Sequence, residues 1–495
     1  MRYAIGVDLG TSGVKVLLAS EDGNICAGAT ANYSPDLPHN GWSEQDPEVW
    51  WSATVDAIAK LIESYPLARG NITALACSGQ MHSSVFLDGR GNVIRKAILW
   101  NDTRTTPQVA EIYKTISKEE LLENVYNLAL EGFTLPKLLW LRNNEPENYK
   151  KIDKMIMPKD YINFRLTGVC ATDQSDGAGT LLYDVANHCW SEKLINALGI
   201  DKNILPPVLN STDVIGTAIG EITELLGTNC QVVAGGADNS CAAVGSGMSH
   251  EGQGIISIGT SGTVIACLNS LTKKADGSVH LFNYSVPNTL YAMGCMLSAG
   301  ECLNHLKRTF FENISFKDMD KLAEKSPVGS KGLIYLPYIF GERTPHNDPN
   351  ARGVFFGISG ASSQGDFIRS LLEGVAFGIR EMYENVAKFT NIQEFTLTGG
   401  GAKSYLWSQI IADVMNKPLK INSVSEGPSL GAVFLAMTGS GMCGNLDEIQ
   451  SAVLKCDKIV YPSPDSNKYK LYYEIYKELY RTNKALFAKL KNIAQ

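Results

Sequence analysis

Residues 5–16 read IGVDLGTSGVKV, and residues 254–265 read GIISIGTSGTVI. In each, an apolar run suited to a strand meets a Gly-Thr-Ser-Gly turn and resumes as a second β-branched run. That is the pattern of a hairpin whose turn displays backbone N–H groups and hydroxyls. Gly10, Thr11, Ser12 and Gly13 fall in register with Gly259, Thr260, Ser261 and Gly262. Internal similarity of this kind predicts two copies of one domain design. The polar, glycine-rich stretch near 245–253 predicts the division, giving a first domain over 1–249 and a second over 250–495. The copies differ at one telling place, where Asp8 of the first corresponds to Ser257 of the second. If both turns face phosphates, only the first carries a carboxylate able to hold a divalent cation.

The chain has 495 residues, which predicts two or three domains, each large enough to bury a core without disulfides or a structural metal. Lys and Arg number 44 against 51 Asp and Glu, a net charge of −7 that speaks against nucleic-acid or anionic-membrane partners. Asp8 interrupts the early apolar run, which a signal-peptide core would not tolerate, and no stretch approaches the roughly 20 apolar residues of a membrane span. Eleven cysteines without a CxxC pair fit small buried hydrophobes in a reducing compartment. These features predict a soluble cytoplasmic α/β protein. Helical periodicity covers 47–63, 366–388 and 404–415, and strand-like runs cover 73–77, 84–87, 231–234 and 395–398. The tail 467–491 places Tyr469, Tyr472, Tyr473, Tyr476 and Tyr480 at helical spacing and predicts a helix docked on one domain.

A third glycine-rich turn, TGGGAK (398–403), leads into the helix over 404–415. Glycines let backbone approach a ligand closely, and a helix N-terminus adds unpaired N–H groups and partial positive charge. Three such turns, two of them repeated, point to a nucleotide held between two lobes. In VVAGGADNSCAAVGSG (232–247) an apolar strand meets a small-residue helix at Asp238 and Asn239. Either residue could simply cap that helix, or Asp238 could be a general base beside a small substrate. SGQMH (78–82) and LWNDTR (99–104) each follow an apolar strand and offer amide, imidazole, indole, carboxylate and guanidinium groups. That inventory suits a polyhydroxylated ligand, although His82 and Trp100 are equally readable as core residues. No histidine pair has metal-site spacing such as HExxH.

Together DLGTS (8–12), GWSEQDPEVWW (41–51), SGQMH, LWNDTRT (99–105), GFTLPKLLW (132–140) and PKDYINFRLTG (158–168) resemble the FGGY carbohydrate kinases. The match continues in order through SIGTSG, LPYIFGERTPHNDPNARGVFFGI (336–358), LLEGVAFG (371–378), LTGGGAKS and GPSLGA (427–432). The resemblance implies two ribonuclease-H-like domains of the actin and hexokinase ATPase type, with a catalytic cleft between them. It implies direct in-line transfer of phosphate from ATP to a ketopentose, by similarity O5 of D-xylulose. Asp238 would be the base, and Asp8 would hold Mg²⁺, with Asp238 its neighbour at the metal. Thr11 and Ser12 would steady the transferring phosphate, and Gly259, Thr260, Gly300, Gly400, Gly401 and Ala402 would bind ATP. Gln80, Met81, His82, Trp100, Asn101, Asp102 and Asn239 would orient the sugar. A homodimer is a family-level expectation.

Two positions depart from the family pattern, Ala237 in place of a third glycine and Thr103 in place of the glycine after Asn-Asp. The competing readings are an FGGY kinase for ribulose, gluconate or glycerol, an actin- or chaperone-like ATPase acting on proteins, and a non-catalytic sugar-binding protein.

Overall fold

The computed structural model describes residues 1–493. Strands β1 (Tyr3–Leu9) and β2 (Gly13–Ser20) pair antiparallel with Asp8 opposite Lys15, and β3 (Ile25–Asn32) extends the meander. Helix α1 (Pro47–Ser64) starts where Asp46 accepts the Glu48 N–H and Pro47 sets φ at the first helical position. It buries Trp50, Ile58 and Leu61 and returns the chain to β4 (Ile72–Gly79), parallel to β1. Beyond α2 (Pro158–Thr167) and β5 (Val214–Thr217), β6 (Gln231–Ala237) joins β4 in parallel and runs into α3 (Asp238–Gly245). The six strands lie in the order β5-β6-β4-β1-β2-β3.

The second sheet repeats the plan. Strands β7 (Gln253–Ile258) and β8 (Gly262–Leu268) form the second hairpin, followed by β9 (His280–Asn283), β10 (Leu290–Met296) and α4 (Gly300–Phe310). The long helix α5 (Gln364–Val386) crosses to β11 (Glu394–Thr398), parallel to β7, and α6 (Tyr405–Met415) leads on to β12 (Leu419–Asn422). Helix α7 (Pro428–Gly439), β13 (Cys456–Val460) and α8 (Tyr469–Ile493) complete the chain, with sheet order β9-β10-β8-β7-β11-β12-β13. Each sheet thus has an antiparallel meander flanked by parallel strands reached through helices, the doubled α/β architecture expected of an actin/hexokinase-type fold.

Both faces of β1 are covered, so it reads as a continuous apolar run rather than an alternation. Tyr3, Ile5, Val7 and Leu9 share a core with α1, whereas Ala4 belongs to the core that includes α7. The α7 side needs small residues. A Cβ on Gly6 would lie 2.0 Å from the Ser429 carbonyl oxygen, and one on Gly431 would lie 1.8 Å from that of Cys241. A helix from late in the chain therefore presses directly onto the first sheet and onto α3. Asp8, next on this face after Gly6, emerges where α7 begins.

Helix α8 is amphipathic in the expected sense. Tyr469, Tyr473, Tyr476 and Tyr480 are buried while Leu471 is exposed. The Tyr469 hydroxyl donates to Glu373 and accepts from Arg369, both on α5, at 3.0 Å each. No helix among the described residues is long and apolar enough to cross a membrane.

Candidate active site

A cavity of about 470 Å³ opens between the two hairpins. Asp8, Lys15 and Asn239 line it from the first sheet's side, Ser257, Gly259, Ser261, Thr398 and Gly399 from the second, and Glu426, Gly427 and Pro428 at the start of α7. The glycine turns converge at its second-sheet wall. Gly300 donates its N–H to Gly259 at 2.9 Å, and a Cβ there would come within 2.5 Å of the same carbonyl. Gly399 takes φ +87° with its backbone against Ile258, and a Cβ on Gly401 would meet the Ile258 side chain at 2.5 Å. Thr260 accepts the N–H groups of Ala299 and Glu301, so the turn and the start of α4 form one unit. Gly259, Thr260, Gly300, Gly400, Gly401 and Ala402 thus gather around the end of β7. Backbone this close, with N–H groups at a helix N-terminus, can cradle phosphates.

Asp8 lies in the first-sheet wall, and Asp238, next to the lining residue Asn239, is near enough for its charge to act on Asp8. Burial pushes the Asp8 carboxyl up to about 7, the charge of Asp238 adds to the rise, and Lys15 and Ser78 oppose it. Burial likewise raises Asp238 to about 6 against hydrogen bonds from Asn239 and the Met81 backbone. Asp238 opens α3, and its Oδ1 accepts the Asn239 backbone and side-chain N–H groups at 2.7 and 3.0 Å. The N-cap of α3 is Ala237 and no side chain caps the helix, so Asp238 does not act as the cap that its position also suggested. Among the described residues no three His, Cys, Asp or Glu side chains converge as a metal cage. One or two carboxylates beside a phosphate cradle are instead the donor set for a hard cation that draws its other ligands from phosphate and water. The residues fit Mg²⁺ arriving with a nucleotide.

The SGQMH and LWNDTR motifs adjoin this wall, but not all of their polar atoms are free. Gln80 is 2% exposed, accepts from the Thr11 hydroxyl at 3.3 Å and donates to Gln45 at 3.2 Å. Trp100 donates its indole N–H to Thr11 at 2.9 Å. Both therefore orient the first Gly-Thr-Ser-Gly turn, and Ser12 beside it is exposed. Asp102 is 1% exposed, and its oxygens are taken by the Ser43 N–H and by Arg104, whose guanidinium lies 3.6 Å over Trp42. Asn101 is exposed. Met81 sits 3.6 Å from the Asn239 amide through its sulfur. The two departures are accommodated simply. Ala237 is fully buried, and the exposed Thr103 bonds the Gly41 carbonyl at 3.1 Å.

His82 adopts φ +71°, a conformation costly outside glycine and typical of functional loops. Its carbonyl accepts from Thr134 and the buried Lys137, both at 3.0 Å. Its Nδ1 lies 2.7 Å from the Gly179 carbonyl, which can only accept, so Nδ1 carries the proton and Nε2 is an acceptor. Burial pushes this imidazole down to about 3, so it is neutral.

The two domain descriptions of the FGGY family of carbohydrate kinases match residues 3–245 and 254–440. The chain belongs to the FGGY family of carbohydrate kinases. A xylulose kinase of Staphylococcus xylosus is 40% identical over 484 residues, covering 97% of this chain and 100% of that protein. One of Bacillus subtilis is 39% identical over 497 residues, covering 99% of each. The ligand-bound xylulose kinase structure from Lactobacillus acidophilus superposes with a TM-score of 0.93 at 27% identity, covering 99% of this chain and 100% of that one.

Several residues of this carbohydrate kinase escaped the sequence reading. The His82 ring packs 4.7 Å from Phe133 and 5.8 Å from Phe282, and the Tyr291 hydroxyl lies 4.0 Å from the Met81 sulfur. Arg343 reaches over the Trp100 ring at 5.7 Å. His280, held down to about 4 by burial and by Arg343, stacks on Phe282. Thus β9, β10 and the segment after a short strand at Ile334–Leu336 bring second-half residues against the SGQMH and LWNDTR motifs of the first half. Arg343 stood inside a motif that could have flagged it. His280, Phe282 and Tyr291 lie on ordinary apolar strands that carry no such signal.

Proposed function

We propose that this kinase phosphorylates D-xylulose on O5 with ATP, by direct in-line transfer, Asp238 acting as general base. The chain divides functionally near residue 250, the second part carrying the nucleotide turns and the first most of the sugar contacts. The charge-coupled carboxylates Asp8 and Asp238, the first in the wall of a cavity that the glycine turns at Gly259 and Gly399 also line, are the observation that carries this reading. The xylulose kinases alike over nearly the whole chain support the choice of substrate.

Asp238, raised to about 6, is ionised at neutral pH yet basic enough to take the proton of an attacking hydroxyl. Asn239 fixes one carboxylate oxygen and leaves the group aimed from the helix start. Asp8, Thr11 and Ser12 hold the first hairpin's side of the transferring phosphate, and Thr11 is itself oriented by Gln80 and Trp100. Mg²⁺ held by Asp8, with Asp238 beside it, would supply charge neutralisation at the phosphates. Asn101, Met81, Asn239 and the neutral acceptor Nε2 of His82 face the ketose, whereas Gln80 and Asp102 act by holding Thr11 and the Ser43–Arg104 corner. Positioning and electrostatics dominate phosphoryl transfer, so the base itself contributes about 10²–10⁴-fold. Closure of the lobes excludes water, which would otherwise take the phosphate. The exchange runs in the cytoplasm with small molecules only.

The test is Asp238→Ala. It is expected to fold and bind ATP with wild-type affinity while losing about 10²-fold or more of its D-xylulose phosphorylation. Near-wild-type turnover would remove Asp238 from this role.

A further inference from the structure

Behind the corner that carries Asp238, four ionisable side chains without solvent access form a group that the transfer chemistry does not use. Lys159, at the start of α2, places Nζ 2.6 Å from Asp160, 3.2 Å from Asp173 and 3.5 Å from Asp176, and all four side chains are 0–1% exposed. Stability alone is a poor reason for such a group, because desolvating the charges costs about as much as pairing them returns. Its connections suggest another reason. Asp173 Oδ2 accepts from the Ser175 N–H at 2.9 Å, the Ser175 hydroxyl at 2.6 Å and Ser211 at 2.7 Å. The Ser175 hydroxyl, having spent its proton on Asp173, accepts the Ala237 N–H at 2.9 Å. Ala237 immediately precedes Asp238.

The same lysine backs the sugar motif. A Cβ on Gly79 would come within 2.9 Å of the Lys159 Cβ and 3.1 Å of its backbone nitrogen, so the start of α2 at Lys159 lies hard against the residue before Gln80-Met81-His82. Helix α2 is tied to β6 a second time, where the Asn163 side chain donates to the Ala234 carbonyl at 2.9 Å. Little slack remains at the corner, since a Cβ on Gly236 would meet Ser285 Oγ at 2.3 Å and Ser175 Oγ at 3.1 Å.

We infer that Lys159 is a positioning residue for phosphoryl transfer. It fixes Asp173, Asp173 aims the Ser175 hydroxyl, and Ser175 locks the Ala237 amide so that Asp238 faces the cleft. The inference rests on the reading of Asp238 as the base.

The test uses the full-length enzyme with Lys159→Met and Ser175→Ala, the second changing no charge. Nucleotide-binding sites are counted by calorimetric titration with a non-hydrolysable ATP analogue, and kcat for D-xylulose phosphorylation is expressed per site. A misplaced base is expected to lower kcat per site by about 10–100-fold in each variant, with the number of sites and KM for ATP unchanged. A loss wholly explained by fewer sites, or a wild-type kcat per site in Ser175→Ala, overturns the inference. If Lys159→Met does not fold, Ser175→Ala decides alone. Asp238→Ala run alongside separates the two claims. If it is active, the base reading fails. If it is dead while Ser175→Ala is fully active, only the role of Lys159 fails.

Discussion

Asp8 and Asp238 titrate at about 7 and about 6 in the folded chain, against ordinary carboxylate values near 4 in an unfolded one. The native state therefore binds more protons than the unfolded state between pH 4 and 7, and stability falls as pH rises through that window. Asp8→Asn is expected to raise unfolding free energy at pH 8 in metal-free buffer by roughly 1–3 kcal/mol, with no gain at pH 4. Urea melts at the two pH values check this, and equal effects at both would show that the charge is not strained. In activity the sign is reversed. The base must be ionised, so kcat/KM is expected to fall below about pH 6 with unit slope, a limb that Asp238→Asn should lack in its residual rate. Both carboxylates were singled out as candidates by the sequence, Asp8 because its repeat partner is Ser257 and Asp238 because it stands at a strand-to-helix corner. The roles of Gln80 and Asp102 were not. Residue type shows what a side chain could bind, whereas which partner claims it depends on Gln45, Thr11, Ser43 and Arg104, which only the fold brings together.

At the scale of elements, apolar periodicity in the sequence located α1, α5, α6 and α8 to within a few residues, even though in α5 and α6 much of the polar side is buried as well. Helix α7 gave no such signal. Nearly every residue from Ser429 to Met437 is buried, so no face is marked, and its place on the first sheet is set by glycines rather than by pattern. Gly431→Ala is expected to cost about 2–4 kcal/mol, because its Cβ would fall 1.8 Å from a helix carbonyl that cannot move freely. Gly89→Ala, with open space at its Cβ, is the control and should stay within about 0.5 kcal/mol of wild type. Denaturant unfolding of both compares them directly, and a stable Gly431→Ala protein would contradict the packing described.

On the whole-molecule scale, the repeated Gly-Thr-Ser-Gly hairpin was enough to anticipate two similar sheets. What the repeat could not convey is the crossing of chain segments between lobes. Phe282, Tyr291 and Arg343 reach His82, Met81 and Trp100 from the second half, and α7 packs on the first sheet. The Lys15–Glu426 ion pair at the cavity joins the first hairpin to the approach to α7. The proposed choice of substrate is tested most directly by ADP release with D-xylulose, ribulose, gluconate and glycerol, each supplied with Mg-ATP. The highest kcat/KM is expected for D-xylulose, with little ADP formed when no sugar is present. A clear preference for another polyol, or ADP release indifferent to sugar, would contradict the account.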